Sequence, residues 1–158
     1  MKNIPNYIFV LILFFFFSVE LSAQLQKQGS ATQLLVDGQP FLVLGGETGN
    51  SSAASTQDVD RIFPKLQAMK LNTVLLPAYW DLIEPEEGQF DFSLIDHIIQ
   101  SAEEYDLKVV FLWFGAWKNS MSCYAPGWVK ADYKRFPRAM TRAGKPLEIL
   151  SSFSDNVF

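Results

Sequence analysis

Three clusters of side chains in this 158-residue chain combine aromatic rings with carboxylates and amides. Glu47 and Asn50 form the first. Tyr79, Trp80 and Asp81 lead the second, which runs on through Glu84-Pro85-Glu86-Glu87-Gly88-Gln89-Phe90-Asp91-Phe92. Trp113, Trp117, Lys118 and Asn119 form the third. Indole and phenol rings pack against the C–H faces of a polyhydroxylated ring, while carboxylates and amides exchange hydrogen bonds with its hydroxyls. The set therefore suits sugar binding. It does not suit metal or nucleotide chemistry. One His (His97) and one Cys (Cys123) exclude a three-histidine centre and a cysteine-rich zinc site. No Gly-x-Gly-x-x-Gly or Walker loop offers a phosphate cradle. Neither a metal nor an organic cofactor is expected.

Each of these residues also has a structural role open to it. Trp80 and Trp117 can pack under a loop, and Trp113 can serve as core at its strand end. Glu47 and Asn50 can cap a following helix. Glu84, next to Pro85, is expected to brace its own loop by a salt bridge or backbone hydrogen bonds, and Glu86 and Glu87 to face solvent. His97 is expected to be structural and Cys123 an unpaired thiol. Lys134, Arg135, Arg138, Arg142 and Lys145 are expected to form a solvated basic hairpin.

The elements that must position these clusters follow from apolar periodicity. Thr32–Val36 and Phe41–Leu44 flank Asp37-Gly38-Gln39-Pro40, a hairpin signal. Val59, Ile62, Phe63, Leu66 and Met69 recur at helical spacing behind Ser55 or Thr56, with Pro64 expected to kink or split the helix. Residues 72–77 and 108–113 read as strands buried on both faces. Between them, Ser93 and Asp96 form a capping box ahead of Leu94, Ile95, Ile98, Ile99 and Ala102. Strand ends near residues 46, 77 and 113 fall at the period of a βαβ repeat, which places the three clusters on one rim. Further on, residues 126–130 suggest a helical turn, and residues 136–140 and 146–150 a second hairpin. The expected fold is α/β: the first three βα units of a TIM (β/α)8 barrel preceded by an N-terminal β-hairpin, truncated against the roughly 250 residues of a whole barrel.

Lys2, the uncharged run from Tyr7 to Phe17 and Leu21-Ser22-Ala23 predict a signal peptide over residues 1–23, cut before Gln24. The run is shorter than the roughly 20 residues of a bilayer span. No stable membrane anchor is expected after cleavage, and the product is expected in the periplasm or outside the cell. Residues 24–40 then form an N-terminal segment and hairpin, and residues 41–158 the incomplete barrel. A net charge of −4 without a basic run argues against nucleic acid.

Tyr79-Trp80 followed by Glu84-Pro85-x-x-Gly88-x-Phe90-Asp91-Phe92 resembles the loop after strand two in β-galactosidase-type glycoside hydrolases of families 35 and 42. Gly45-Gly46-Glu47 with Asn50-Ser51-Ser52, Leu112-Trp-Phe-Gly-Ala-Trp-Lys-Asn119 and Tyr124-Ala-Pro-Gly-Trp-Val129 resemble a bacterial branch of that group with a further C-terminal domain. The resemblance implies a retaining glycosidase acting on a carbohydrate, either a galactoside or a plant or microbial polysaccharide. Its two glutamates would stand about 5 Å apart: an acid in an Asn-Glu pair after strand four and a nucleophile after strand seven. Neither motif is matched by Glu47, Glu84, Glu86 or Glu87, so the pair is expected beyond residue 158. What the sequence supplies is a sugar-binding set: Glu47, Asn50, Tyr79, Trp80, Trp117 and Asn119. It departs from family 35 at strand three, where Ala116-Trp117 lacks the Glu of an Ala-Glu-Trp element, so galactose specificity is left open. The alternatives are a non-catalytic carbohydrate-binding protein on a degenerate barrel and a related barrel glycosidase acting on mannan, glucan or xylan.

Overall fold

The computed structural model describes residues 23–118 and 123–156. The expected signal peptide therefore lies outside the described residues except for Ala23, and Asn119 lies outside them too. The chain forms two compact units, one up to Leu42 and one from Val43.

The first unit is a three-stranded antiparallel sheet. β1 (Gln24–Gln28) pairs with β2 (Ala31–Val36) from Gln24↔Leu35 to Gln28↔Ala31, and β2 pairs with β3 (Gln39–Pro40). The β2–β3 turn is Asp37-Gly38, both at positive φ (53° and 73°), the mirror-image conformation that matches strand twist in a two-residue hairpin. The N-terminal segment ahead of the hairpin contributes a strand of its own, formed by pairing with β2 although every residue in it is exposed. One expectation needs correction. The return strand is shorter than Phe41–Leu44 implied: the turn aligns Gln39 with Val36, and Pro40 has no N–H to give the ladder. Beyond it, Phe41 N–H still donates to the Leu34 carbonyl at 2.8 Å.

The second unit holds a parallel sheet in the order β4 (Gly45–Glu47), β5 (Thr73–Tyr79), β6 (Lys108–Phe114). Helix α1 (Thr56–Ala68) joins the first pair; α2 (Trp80–Ile83) and α3 (Ser93–Glu104) join the second. This parallel β-α-β-α-β order is the one expected of the first three βα units of a (β/α)8 barrel. Asn72 aligns the strand starts. Its Oδ1 accepts from Leu44 N–H at 2.8 Å, its N–H donates to the Leu44 carbonyl at 2.9 Å, and its carbonyl accepts from Lys108 N–H at 2.8 Å. The register Gly45↔Thr73↔Lys108 follows.

Apolar periodicity places the helices. Val59 and Phe63 of α1 and Ile98 and Ala102 of α3 close over Val74 and Leu76 of β5 in one core. Ser55 caps α1 by accepting from Asp58 N–H at 3.2 Å. Pro64 does not split that helix, which is continuous from Thr56 to Ala68 at the loss of one amide donor. The cap of α3 also differs from expectation. Phe92 holds the cap position, and the Asp91 Oδ1, not Ser93, takes the first free amide, that of Ser93 at 2.8 Å. The Ser93 side chain, and after it this amide bond, keep the Asp91 carboxyl below the usual carboxylate range. His97 is structural, with Nε2 2.7 Å from Asp60 Oδ1, tying α3 to α1.

β5 is buried as expected, but β6 is not. Val110, Phe111 and Trp113 are 45%, 36% and 59% exposed, because among the described residues β6 pairs only with β5 and is an edge strand. After β6 come α4 (Gly127–Ala131) and the expected hairpin, β7 (Arg138–Met140) with β8 (Pro146–Leu150). Its basic residues are not all solvated. Arg138 is buried and donates to the carbonyls of Glu148 in β8 (2.7 Å) and Lys130 in α4 (3.0 Å). No helix among the described residues is long and apolar enough to cross a membrane.

Candidate functional site

Parallel strands deliver their C-terminal ends to one rim, and β5 and β6 end level there, Tyr79 opposite Phe114. The chain then turns straight into α2, which sets Trp80 beside Trp113 with ring centroids 6.3 Å apart. Gly115 makes room for that arrangement, since a Cβ there would lie 2.7 Å from the Trp113 indole nitrogen. Trp128, on α4, meets Trp80 edge-on at 6.0 Å, and Phe136 meets Trp128 at 5.7 Å. Four rings thus form one continuous wall.

Glu84 fastens this wall to its loop. Its Oε2 accepts from the Trp80 indole N–H at 2.8 Å and its Oε1 from Gly88 N–H at 2.9 Å. The Glu84 carbonyl accepts from the Trp128 indole N–H at 3.1 Å. The bracing role expected of Glu84 is the one observed. Glu87 is not simply solvated: it takes a two-pronged ion pair from Arg135 at 3.0 and 2.6 Å, which holds its carboxyl below the usual range. The same guanidinium lies 4.8 Å over Phe136 and 5.8 Å over Trp128.

The sequence-derived sugar-binding residues do not all reach an open surface. Trp80 is half-buried within the wall. Tyr79 is placed in the core, 4% exposed, and its hydroxyl donates to the Asn50 carbonyl at 2.6 Å. Burial pushes its phenol up to about 12, so it stays a neutral donor. Asn50 thereby serves first through its backbone. Glu47 is exposed at the end of β4 and pairs with Lys118 at 3.6 Å. Trp117, 61% exposed, lines a separate groove of about 510 Å³ with Met140, Ile149, Leu150 and Phe153. Sequence reasoning gave no part to Trp128 in the wall; the only signal was its place in a Pro-Gly-Trp turn after β6. Cys123 is free and buried beside Ala125, Val129 and Phe136. Among the described residues no cluster of His, Cys, Asp and Glu could hold a metal.

Asp81 stands apart. Its Oδ1 is buried and has no hydrogen-bond partner among the described residues. Burial pushes its carboxyl above the usual range, against the pull of the Lys130 charge and of its own and the Leu82 backbone amides. The folded state therefore holds this proton more tightly than the unfolded chain. Asp81's contribution to stability is greatest below the unfolded pKa near 4 and falls as pH rises through the higher folded value. Asp81→Asn is expected to raise the melting temperature at pH 7, with the gain vanishing below about pH 4. A gain of equal size at both pH values would show that titration of Asp81 is not the cause.

Residues 50–133 match the model of glycoside hydrolase family 42, described as beta-galactosidase. The chain is 40% identical over 62 residues to a beta-galactosidase of Xanthomonas manihotis, covering 39% of this chain and 10% of that protein. It is 32% identical over 84 residues to the beta-galactosidase of Mus musculus, covering 51% of this chain and 13% of that protein. The chain thus spans about a tenth of the length of these relatives. Among solved structures, the exo-beta-1,4-mannosidase Op5Man5 from Opitutaceae bacterium strain TAV5 aligns at a TM-score of 0.46 and 22% identity, covering 56% of this chain and 17% of that one. The family match takes in the loops after β4 and β5, the wall residues Trp80, Trp113 and Trp128, and all of β6, more than half of the sequence, and on that ground the chain belongs to the beta-galactosidase family, glycoside hydrolase 42.

Proposed function

We propose that this chain is part of an exported glycoside hydrolase of β-galactosidase type, in which it forms one wall of the sugar pocket. The observation that carries the reading is the rim itself. Three successive parallel strands bring Glu47, Trp80 and Trp113 to the end of the sheet where barrel enzymes bind substrate. Cleavage in this reading is retaining. One carboxylate attacks the anomeric carbon while a second, about 5 Å away, protonates the departing oxygen. Both glutamates come from outside this sequence, and the residues described here hold and orient the sugar.

The test is to assay the full-length polypeptide on nitrophenyl β-galactoside, mannoside, glucoside and xyloside, following the first-formed anomer by NMR. The galactoside is expected to turn over fastest, with the β-anomer released first. Preference for another sugar, or initial release of the α-anomer, would overturn the specificity or the mechanism respectively. Binding without hydrolysis of any member would leave a carbohydrate-binding protein. Export is tested by sequencing the N-terminus of the mature protein, expected to begin at Gln24.

A further inference from the structure

We propose that Glu47 and Lys118 act together as a hydroxyl-recognition pair, gripping two adjacent hydroxyls of the sugar bound at this rim. The inference rests on the carbohydrate reading above and deepens it. Glu47 ends β4, and Lys118 lies four residues past the end of β6. With β5 between them, the two strands run roughly 10 Å apart. Their side chains nonetheless converge, with Lys118 Nζ 3.6 Å from Glu47 Oε1.

The pair is held in place but not satisfied. Lys118 Nζ sits 4.6 Å from the centroid of the Phe114 ring. Phe114 is itself 1% exposed and wedged between Tyr79 and Tyr124, at centroid distances of 5.7 and 5.0 Å. The ammonium therefore rests on a rigid aromatic base, and much of the freedom of a long lysine side chain is already lost before any ligand arrives. Contact with a ring face uses no acceptor. A direct charge-assisted hydrogen bond is about 2.7–2.9 Å long, so 3.6 Å is too loose to saturate either partner. An ammonium carries three donors and a carboxylate about four acceptor sites. Both groups keep accessible surface, with side chains 26% and 52% exposed for Lys118 and Glu47.

As an ion pair alone, so exposed a contact stabilises the fold little. As a ligand-binding pair it has the right chemistry for a neutral diol. One hydroxyl donates to the carboxylate, and its neighbour accepts from the ammonium. Inserting the diol between the two charges replaces a loose contact with two short ones and leaves the net charge of the site unchanged.

The experiment measures kcat/KM of the full-length polypeptide on nitrophenyl β-galactoside and on its 2-, 3-, 4- and 6-deoxy analogues. Wild type is compared with Lys118→Met, Lys118→Arg and Glu47→Gln. On the parent sugar, Lys118→Met is expected to lose about 10- to 100-fold, and Lys118→Arg to recover most of that. On the one analogue that lacks the hydroxyl gripped by Lys118, the penalty is expected to shrink towards 1. Glu47→Gln, which keeps the shape of the side chain, should show the same cancellation at the adjacent hydroxyl. An equal penalty on all five substrates, or none on the parent, would overturn the pair while leaving the enzyme reading intact. Wild type that hydrolyses nothing would remove the enzyme reading and this inference with it.

Discussion

Glu84→Ala is expected to lower stability by about 2–3 kcal/mol and to raise KM for any sugar bound against the aromatic wall. The carboxylate holds two donors at once, the Trp80 indole N–H and the Gly88 amide, at 2.8 and 2.9 Å. Hydrogen bonds to charged groups contribute about 1.5–3 kcal/mol each. The Gly88 bond is exposed, so water replaces it cheaply, and most of the loss falls on Trp80. Trp80 in turn is the ring through which Trp113 and Trp128 are linked. Freed from Glu84, it loses the orientation that the wall depends on. Glu84→Gln is expected to recover only part of the loss, because an amide offers one oxygen where two donors wait. Glu86→Ala, at an exposed site in the same loop, should stay within about 0.5 kcal/mol of wild type. Urea unfolding followed by tryptophan fluorescence measures all three. If Glu84→Ala proves no worse than Glu86→Ala, the brace has no energetic weight.

The parallel core was legible because its signals are local. Residues 72–77 form a compact apolar run, the apolar residues of α1 and α3 keep helical spacing, and the repeat length admits only a crossover between parallel strands. Capping was legible at Ser55 but not at Phe92. Asp91 and Ser93 both offer oxygens to free amides, and only the backbone path decides between them. β1 carried no signal, since an exposed polar strand exists only through its partner.

At the rim, what could be read was which residue types gather after the strands. What could not be read was which way each one turns. Tyr79 and Trp80 are adjacent, yet the first ends in the core with its hydroxyl on Asn50 and the second joins the wall. The strand alternates its faces at each residue, and the start of α2 breaks that alternation. Arg138 read as a solvated cation because an arginine is buried only where carbonyls converge on it, and these come from α4 and β8. The contact between Glu47 and Lys118 depends on loop geometry across an intervening strand, which no local pattern encodes.

The exposure of β6 leads to the second large effect. The polypeptide from Gln24 to Phe158, made by itself, is expected to self-associate at micromolar concentration. β6 bonds to β5 along one edge, and its other edge presents unpaired amides and carbonyls among the described residues. Val110, Phe111 and Trp113 add exposed apolar surface to that edge. An open, apolar edge of this kind recruits further strands, and natural sheets protect such edges with charge or cover. Replacing Val110 with Lys places a charge on the edge and is expected to shift the population towards monomer without touching the α1–β5–α3 core. Light scattering coupled to size exclusion reads the association directly. In the full-length polypeptide the same substitution is expected to act in the opposite direction, lowering solubility or activity, because a lysine would then be buried wherever the next element packs against β6. A sharp, cooperative melt from a monomeric fragment would contradict the first half. An indifferent Val110→Lys in the full-length protein would contradict the second, and would mean that this edge stays open to solvent in the complete molecule.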